Sequence, residues 1–263
     1  MSNTTSLSRS LKIQSRVIGA LLMREIITRY GRHNIGFLWL FIEPMMFTLG
    51  VTALWSLASG HHYSNIPIAA FALTGYSSVL LWRNMPGRLS GAIEPNYSLM
   101  YHRNVKVVDI FISRLLLEIA GVTASFIALS IIFIAIGLIK PPDDILKVMF
   151  GWLMLIWFGV SLALLIGSLS ARSDLVDKIW HPMAYLIFPL SGAAFMVDWL
   201  PPAAQKFVLL LPMVHGIEIL REGYFGNLVH AHYDMTYMAM VNLCIMLLGL
   251  AQVRIVSRTV IPE

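Results

Sequence analysis

Cysteine is nearly absent from this chain. Cys244 is the single one in 263 residues, so no internal disulfide can form. Inside an apolar run it reads as a small core residue. Charge is scarce too: 13% of residues are Asp, Glu, Lys or Arg, where a soluble domain carries about 25%. The familiar catalytic signatures are missing. There is no G-x-x-x-x-G-K-[ST] phosphate loop, no H-E-x-x-H, no G-x-S-x-G and no C-x-x-C. No catalytic residue is assigned, and the chain is not expected to hydrolyse ATP. The eight histidines are scattered, and no metal site is assigned. No internal repeat is found. The first 30 residues lack an uninterrupted apolar core and a small-residue cleavage site, so no cleavable signal peptide is expected.

What the chain has instead is apolar surface, at 57% of residues. Long apolar runs at residues 37–57, 66–82, 109–138, 148–169, 179–197 and 235–253 predict six membrane spans. Basic residues concentrate on the cytoplasmic side of membrane proteins because they resist translocation. With both termini in the cytoplasm, 15 of the 19 lysines and arginines fall inside; only Lys140, Lys147, Lys206 and Arg221 do not. The net charge of +5 is explained by this topology and by anionic headgroups better than by nucleic acid. Spans and short loops consume nearly the whole chain, so residues 1–263 are read as a single all-α transmembrane domain.

Three segments do not cross. Residues 9–32 form an amphipathic helix, with Arg9, Lys12, Arg16 and Arg24 on one face and Leu11, Ile18, Leu22 and Ile26 roughly opposite. Such a helix lies along the inner membrane surface. Residues 83–107 are a polar inner segment with Pro86, Gly87, Gly91 and Pro95 as breakers. Residues 201–234 hold a stretch too short to cross and interrupted by Pro212, His215 and Glu218. Counting it as a span would move Arg254 and Arg258 outside. It is read as a pair of short re-entrant helices in the outer leaflet.

Ionisable residues in spans are costly and point to function by default. Glu43, just before Pro44, is the sharpest case; it either serves the substrate path or pairs with Arg24, Arg29 or Arg32. Glu118, one turn beyond Arg114, is expected to form a local ion pair. Glu218, Arg221 and Glu222 in the outer stretch imply access to water along an exit path, or a local ion pair. Trp55, Trp82, Trp180 and Trp199 fall at span ends, where aromatic belts form. Trp39 and Trp157 lie deeper and are better placed to line a path. Arg24, Arg29, Arg32 and Arg83 at the inner mouth would attract an anionic headgroup or acidic sugar, or simply anchor the topology.

The run Arg24-Glu25-Ile26-Ile27-Thr28-Arg29-Tyr30-Gly31-Arg32, continuing through Gly36-Phe37-Leu38-Trp39 to Glu43-Pro44, resembles the start of bacterial polysaccharide-export permeases of the type-2 ATP-binding-cassette class. The run Pro212-Met213-Val214-His215-Gly216-Ile217-Glu218-Ile219-Leu220-Arg221-Glu222-Gly223-Tyr224-Phe225-Gly226 is similar to that class's late signature. The likeness is greatest to the capsular polysaccharide export family. It implies a homodimer in the bacterial inner membrane, joined by two copies of an ABC ATPase subunit that carries the ATP and Mg; no cofactor is expected in this chain. It implies a coupling helix within 83–107, with Glu94, Asn96, Tyr97, His102 and Arg103 as candidate ATPase contacts. It implies that Pro212, His215, Glu218, Arg221 and Tyr224 shape an outer re-entrant channel. The substrate would be a glycolipid-linked capsular polysaccharide, passed from cytoplasm to periplasm and onward to a periplasmic polysaccharide co-polymerase and an outer-membrane export protein. Rival readings are an O-antigen or teichoic acid permease, an intramembrane glycolipid-modifying enzyme built on Glu43, His215 and Glu218, and a structural anchor.

Overall fold

The computed structural model of the protein describes residues 7–30, 34–58, 66–103 and 105–259. Among them there is no strand. Ten α-helices follow in order: α1 (Leu7–Tyr30), α2 (Asn34–Ala58), α3 (Ile68–Leu89), α4 (Tyr97–Arg103), α5 (Val107–Ala135), α6 (Ile145–Ser170), α7 (Asp174–Ile187), α8 (Pro202–Val208), α9 (Pro212–Phe225) and α10 (Met235–Thr259).

Helices α5, α6 and α10 are each long and apolar enough to cross a bilayer. They carry large apolar side chains on their outer faces, including Ile131, Leu153 and Leu247, all more than half exposed. Such surface is a liability in water and is satisfied by lipid tails. Helix α2 has a shorter apolar core, Phe41–Leu57. Helix α8 and the α9 segment through Leu228 meet at 108°, the geometry of a broken span or a re-entrant loop.

The core is built on α6, which packs against α3, α9 and α10. Helix α3 is buried on all sides from Ala69 to Trp82. Its hydroxyls bond back into the helix, Thr74 to the Ala70 carbonyl at 2.8 Å and Ser78 to the Thr74 carbonyl at 2.5 Å. Close helix approach depends on missing side chains. A methyl group at Gly159 would sit 3.1 Å from both the Leu81 carbonyl oxygen and the Trp82 Cα. Neither backbone atom can move without shifting α3. Gly159→Leu is therefore expected to cost about 3 kcal/mol, read as a fall in thermal unfolding temperature in detergent. An unchanged temperature would show that α3 and α6 slide freely. At its N-terminal end, α6 is capped by Asp144, which accepts from the Leu146 and Lys147 amides at 2.9 and 3.1 Å.

Several expectations are corrected. Pro86 was expected to break the chain after span 2, yet α3 runs through it to Leu89. Burial of Met85, Pro86 and Leu89 against the core compensates for the single hydrogen bond that proline removes. The predicted fifth span, 179–197, is not one helix. Helix α7 starts at Asp174, passes Pro182, and stops in a 3-10 turn, Phe188–Leu190, at Pro189. Trp82 and Trp180 are not belt residues: they are 1% and 8% exposed and belong to the core. Trp55 and Trp199 stack on either side of the link through Phe71, with centroids at 5.7 and 5.2 Å. In α1 the expected basic face is split. Arg9, Lys12 and Arg16 are exposed, while Arg24 turns inward with Leu21 and Glu25. Leu11, expected on the opposite apolar face, is 65% exposed.

Candidate functional site: an arginine-lined inner cavity and its flanking clamps

Helices α1, α2, α3, α5 and α7 enclose a cavity of about 350 Å³. Each contributes one chemistry. Helix α1 brings Arg29, α2 brings Glu43 and Phe47, α3 brings Arg83 and Arg88, α5 brings Glu118, and α7 brings Trp180 and Tyr185. Leu80, Arg83, Asn84, Gly87 and Arg88 share the cavity side of the last turns of α3 because residues three and four apart return to one face.

The charges are unequally held. Glu118 has a side-chain exposure of 6% and accepts from Arg29 Nη1, and its Oε1 lies 2.9 Å from Arg88 Nε as an ion pair. Glu43, at 49% exposure, reaches the same two guanidiniums only at 3.7 and 3.5 Å. Arg83 pairs with no carboxylate among the described residues. Its guanidinium instead faces the rings of Phe47, Tyr185 and Phe188 at 5.4, 5.4 and 5.7 Å. A second pair buttresses the wall: Arg114 Nε lies 3.1 Å from Glu25 Oε1, and Arg114 Nη1 donates to the Arg88 carbonyl at 2.8 Å. The expected local pair between Arg114 and Glu118 is thus corrected. Each takes a partner from another helix, which no i,i+4 rule can show.

Of the residues singled out for the inner mouth, the structure brings together Arg29, Glu43 and Arg83. Trp39 is exposed on α2 and does not line the cavity. Arg24 lies elsewhere: it donates to the Asn96 side chain and, at 3.4 Å, to the Pro95 carbonyl. Arg32 lies outside the described residues. Sequence reasoning missed Arg88, Glu118 and Tyr185 as members of this site. A carboxylate inside an apolar run was the available signal for Glu118.

The segment 83–107 contains a 3-10 turn, Glu94–Asn96, followed by α4. Glu94 and Tyr97 are exposed. Asn96 is not an outward contact: it is 4% exposed, accepts from Arg24 and donates to the Ala92 carbonyl at 2.8 Å. The side chains of His102 and Arg103 lie outside the described residues. A cleft of about 290 Å³ separates Glu94 and Tyr97 from Asp174 and Asp177 at the start of α7.

At the other end of the bundle the expectation of water-exposed charges is corrected. His215, Glu218 and Arg221 are 3%, 0% and 0% exposed. Glu218 accepts from the Val197 amide at 3.2 Å and the His232 amide at 3.1 Å. Arg221 donates to the carbonyls of Gly192, Phe195 and Ala193 at 2.6, 2.6 and 2.7 Å and lies 3.9 Å over the Phe71 ring. Gly192 has φ of +87°, which turns its carbonyl into this fork. His215 Nδ1 accepts from the Asp234 amide at 2.8 Å, which leaves the proton on Nε2, 2.8 Å from the Leu209 carbonyl. Tyr224 donates to the Lys140 carbonyl at 3.2 Å, and Pro212 begins α9. These residues staple the segments 192–197 and 232–234 to α9. Glu222 is held by Lys147 at 3.0 Å and Tyr233 at 2.6 Å, and this bond pushes the Tyr233 hydroxyl up to about 12. Tyr233 therefore stays a donor at any physiological pH.

The profile of the family described as "ABC-2 type transporter" matches residues 16–225. The chain is 46% identical over 259 residues, 98% of each sequence, to the capsule polysaccharide export inner-membrane protein CtrC of Neisseria meningitidis serogroup B. It is 41% identical, again over 98% of each, to the capsule polysaccharide export inner-membrane protein BexB of Haemophilus influenzae. A more distant likeness, 26% over 92% of this chain and 94% of the other, is to the polysialic acid transport protein KpsM of Escherichia coli. An all-helical fold with lipid-facing apolar surface, no nucleotide loop and a profile match over most of its length leads to one conclusion: the chain belongs to the ABC-2 type transporter family, as a permease.

Proposed function

We propose that this chain is the inner-membrane permease subunit of an ATP-driven exporter, moving a lipid-anchored capsular polysaccharide from cytoplasm to periplasm. The observation that carries the reading is the inner cavity, where Arg29, Arg83 and Arg88 converge at the edge of the apolar bundle. Three guanidiniums beside aromatic rings suit a ligand that joins an oxyanion to sugar or lipid. The near full-length identity to capsule export proteins supports the same substrate class.

In this reading six segments span the membrane: α2, α3, α5, α6, α7 with the turn after it, and α10. Both termini are cytoplasmic, α1 lies on the inner surface, and the α8–α9 pair is re-entrant from outside. The permease works as a homodimer. Each copy binds one ABC ATPase subunit, which supplies ATP and Mg chemistry, through Glu94, Tyr97 and the rest of the 83–107 segment. A periplasmic co-polymerase and an outer-membrane export protein take the polymer onward. Closure of the ATPase pair moves the coupling segment, and so biases the cavity between inward-open and outward-open arrangements.

Orientation is tested by single-cysteine reporters in a Cys244→Ala background. Glu94→Cys is expected to react with an impermeant maleimide only after the inner membrane is opened, and Lys206→Cys to react in intact spheroplasts. The reverse pattern overturns the topology. Function is tested in a capsule-forming strain lacking this gene. Wild type should restore surface polymer, and Arg83→Gln should lower it about tenfold at equal protein level. Full export by Arg83→Gln would separate the cavity from transport.

A further inference from the structure

The two carboxylates of the inner cavity are not equivalent, and the difference has a use. Glu118 is buried, accepts from Arg29 and lies 2.9 Å from Arg88 Nε. Glu43 reaches the same two arginines at 3.7 and 3.5 Å, well beyond the roughly 2.8 Å of a charge-assisted bond. It is also half exposed. Contacts of that kind belong to the weak class of solvated ion pairs. A guanidinium has five donors in a fixed fork. Both arginines therefore lie closer to Glu118 than to Glu43, and the long Glu43 contacts are the ones an anion can exchange with. Arg83 stands across the same cavity with no carboxylate partner among the described residues.

We propose that Glu43 holds the place of the ligand's oxyanion: in the empty cavity it engages Arg29 and Arg88, and an arriving phosphate or carboxylate displaces it into water. This rests on the cavity being the anion site of the transport reading. Glu43 then does two things. It keeps the arginine forks aligned between ligands, so that less order must be imposed on binding. It also sets a threshold for entry. A neutral or zwitterionic headgroup gains too little from the arginines to dislodge a carboxylate, whereas an anion able to bond two forks and Arg83 gains more than Glu43 gave. Discrimination built by a repulsive group as well as an attractive one is the general route to specificity.

The chemistry fits a phosphate on a lipid anchor or a carboxylate on an acidic sugar, and the test separates them. Full-length permease in phosphatidylcholine nanodiscs is titrated calorimetrically with dihexanoyl phosphatidylglycerol, with inorganic phosphate and with glucuronate. Saturable binding of the first alone identifies a lipid headgroup; binding of glucuronate identifies the sugar. For whichever binds, Glu43→Gln is expected to tighten the dissociation constant about tenfold, because it removes a competing charge. Glu43→Asp, which keeps the charge but shortens the reach to the arginines, should fall between the two. Arg83→Gln should weaken binding about tenfold. If Glu43→Gln binds no more tightly than wild type while Arg83→Gln is weakened, displacement is overturned and the anion site stands. If Arg83→Gln binds as wild type does, or if no anion binds wild type, the anion-site reading itself falls. Unfolding curves for each variant keep misfolding from passing as lost binding.

Discussion

Glu118→Ala is expected to lower stability by about 3–5 kcal/mol and to abolish most export, the largest effect of any change in the inner cavity. The carboxylate lies close to both Arg29 and Arg88. Removing it leaves the two cations bridged by the long contacts of Glu43. Burial decides the size of the loss. At the 6% side-chain exposure of Glu118, water cannot easily replace the missing oxygen. The exposed Glu43 sets the contrast, and Glu43→Ala should cost under about 1 kcal/mol. Thermal unfolding of the two variants in one detergent, beside a surface-polymer assay, checks both. Equal shifts would mean the cavity is flooded enough to screen both carboxylates alike.

Arg221→Met is expected to release the loop after α7 and to cost about 3 kcal/mol. Two opposing terms enter. Methionine removes a buried charge, which by itself favours folding. Against this, three carbonyls lose their donors together, and Phe71 loses the cation above its ring. Each buried unsatisfied carbonyl costs about 1 kcal/mol or more, and the three lie on a single turn, so they are rehydrated only if the turn lifts away. Arg221→Lys should be nearly as harmful, since an ammonium cannot reproduce a planar fork to carbonyls of three residues. Limited proteolysis is the readout. New cleavage is expected within 188–200 before global unfolding, and a loop as resistant as wild type would refute the clamp.

Apolar runs proved readable because crossing a bilayer is a local property of composition. The run 148–169 became Ile145–Ser170, and 235–253 became the start and body of Met235–Thr259. The break in this region was also legible, since the apolar stretch 207–220 is interrupted by Pro212, and there α8 and α9 meet at 108°. Pairings across the bundle were not. Glu118 lies one turn from Arg114 in sequence, yet both arginines it holds come from α1 and α3. Arg221 looked like a solvated charge because its acceptors are backbone carbonyls, which carry no residue-type signal. Asn96 looked like a surface contact because its partner, Arg24, lies 72 positions earlier. Pro86 misled for the opposite reason: a strong local rule was overridden by packing of the Met85, Pro86 and Leu89 face into the core.

The glycine contacts of α6 have a mechanical consequence. At Gly151, Gly159 and Gly167 the helix meets α9 and α3 backbone or Cβ atoms with no side chain as a cushion. Stiffness in a protein follows such packing, and compliance collects where packing is thin. Helices α3, α6 and α9 therefore behave as a keel. Helix α7 buries only Trp180 and Ala184, and α2 docks along a single edge with Thr48 and Thr52 innermost. These two are the blades, and they carry Glu43, Phe47 and Tyr185 into the cavity wall. Swinging α2 breaks the long contacts of Glu43 and leaves the contact between Glu118 and Arg88 untouched. The cavity is thus hinged on its weakest ion pairs, with the strong ones left in the hull.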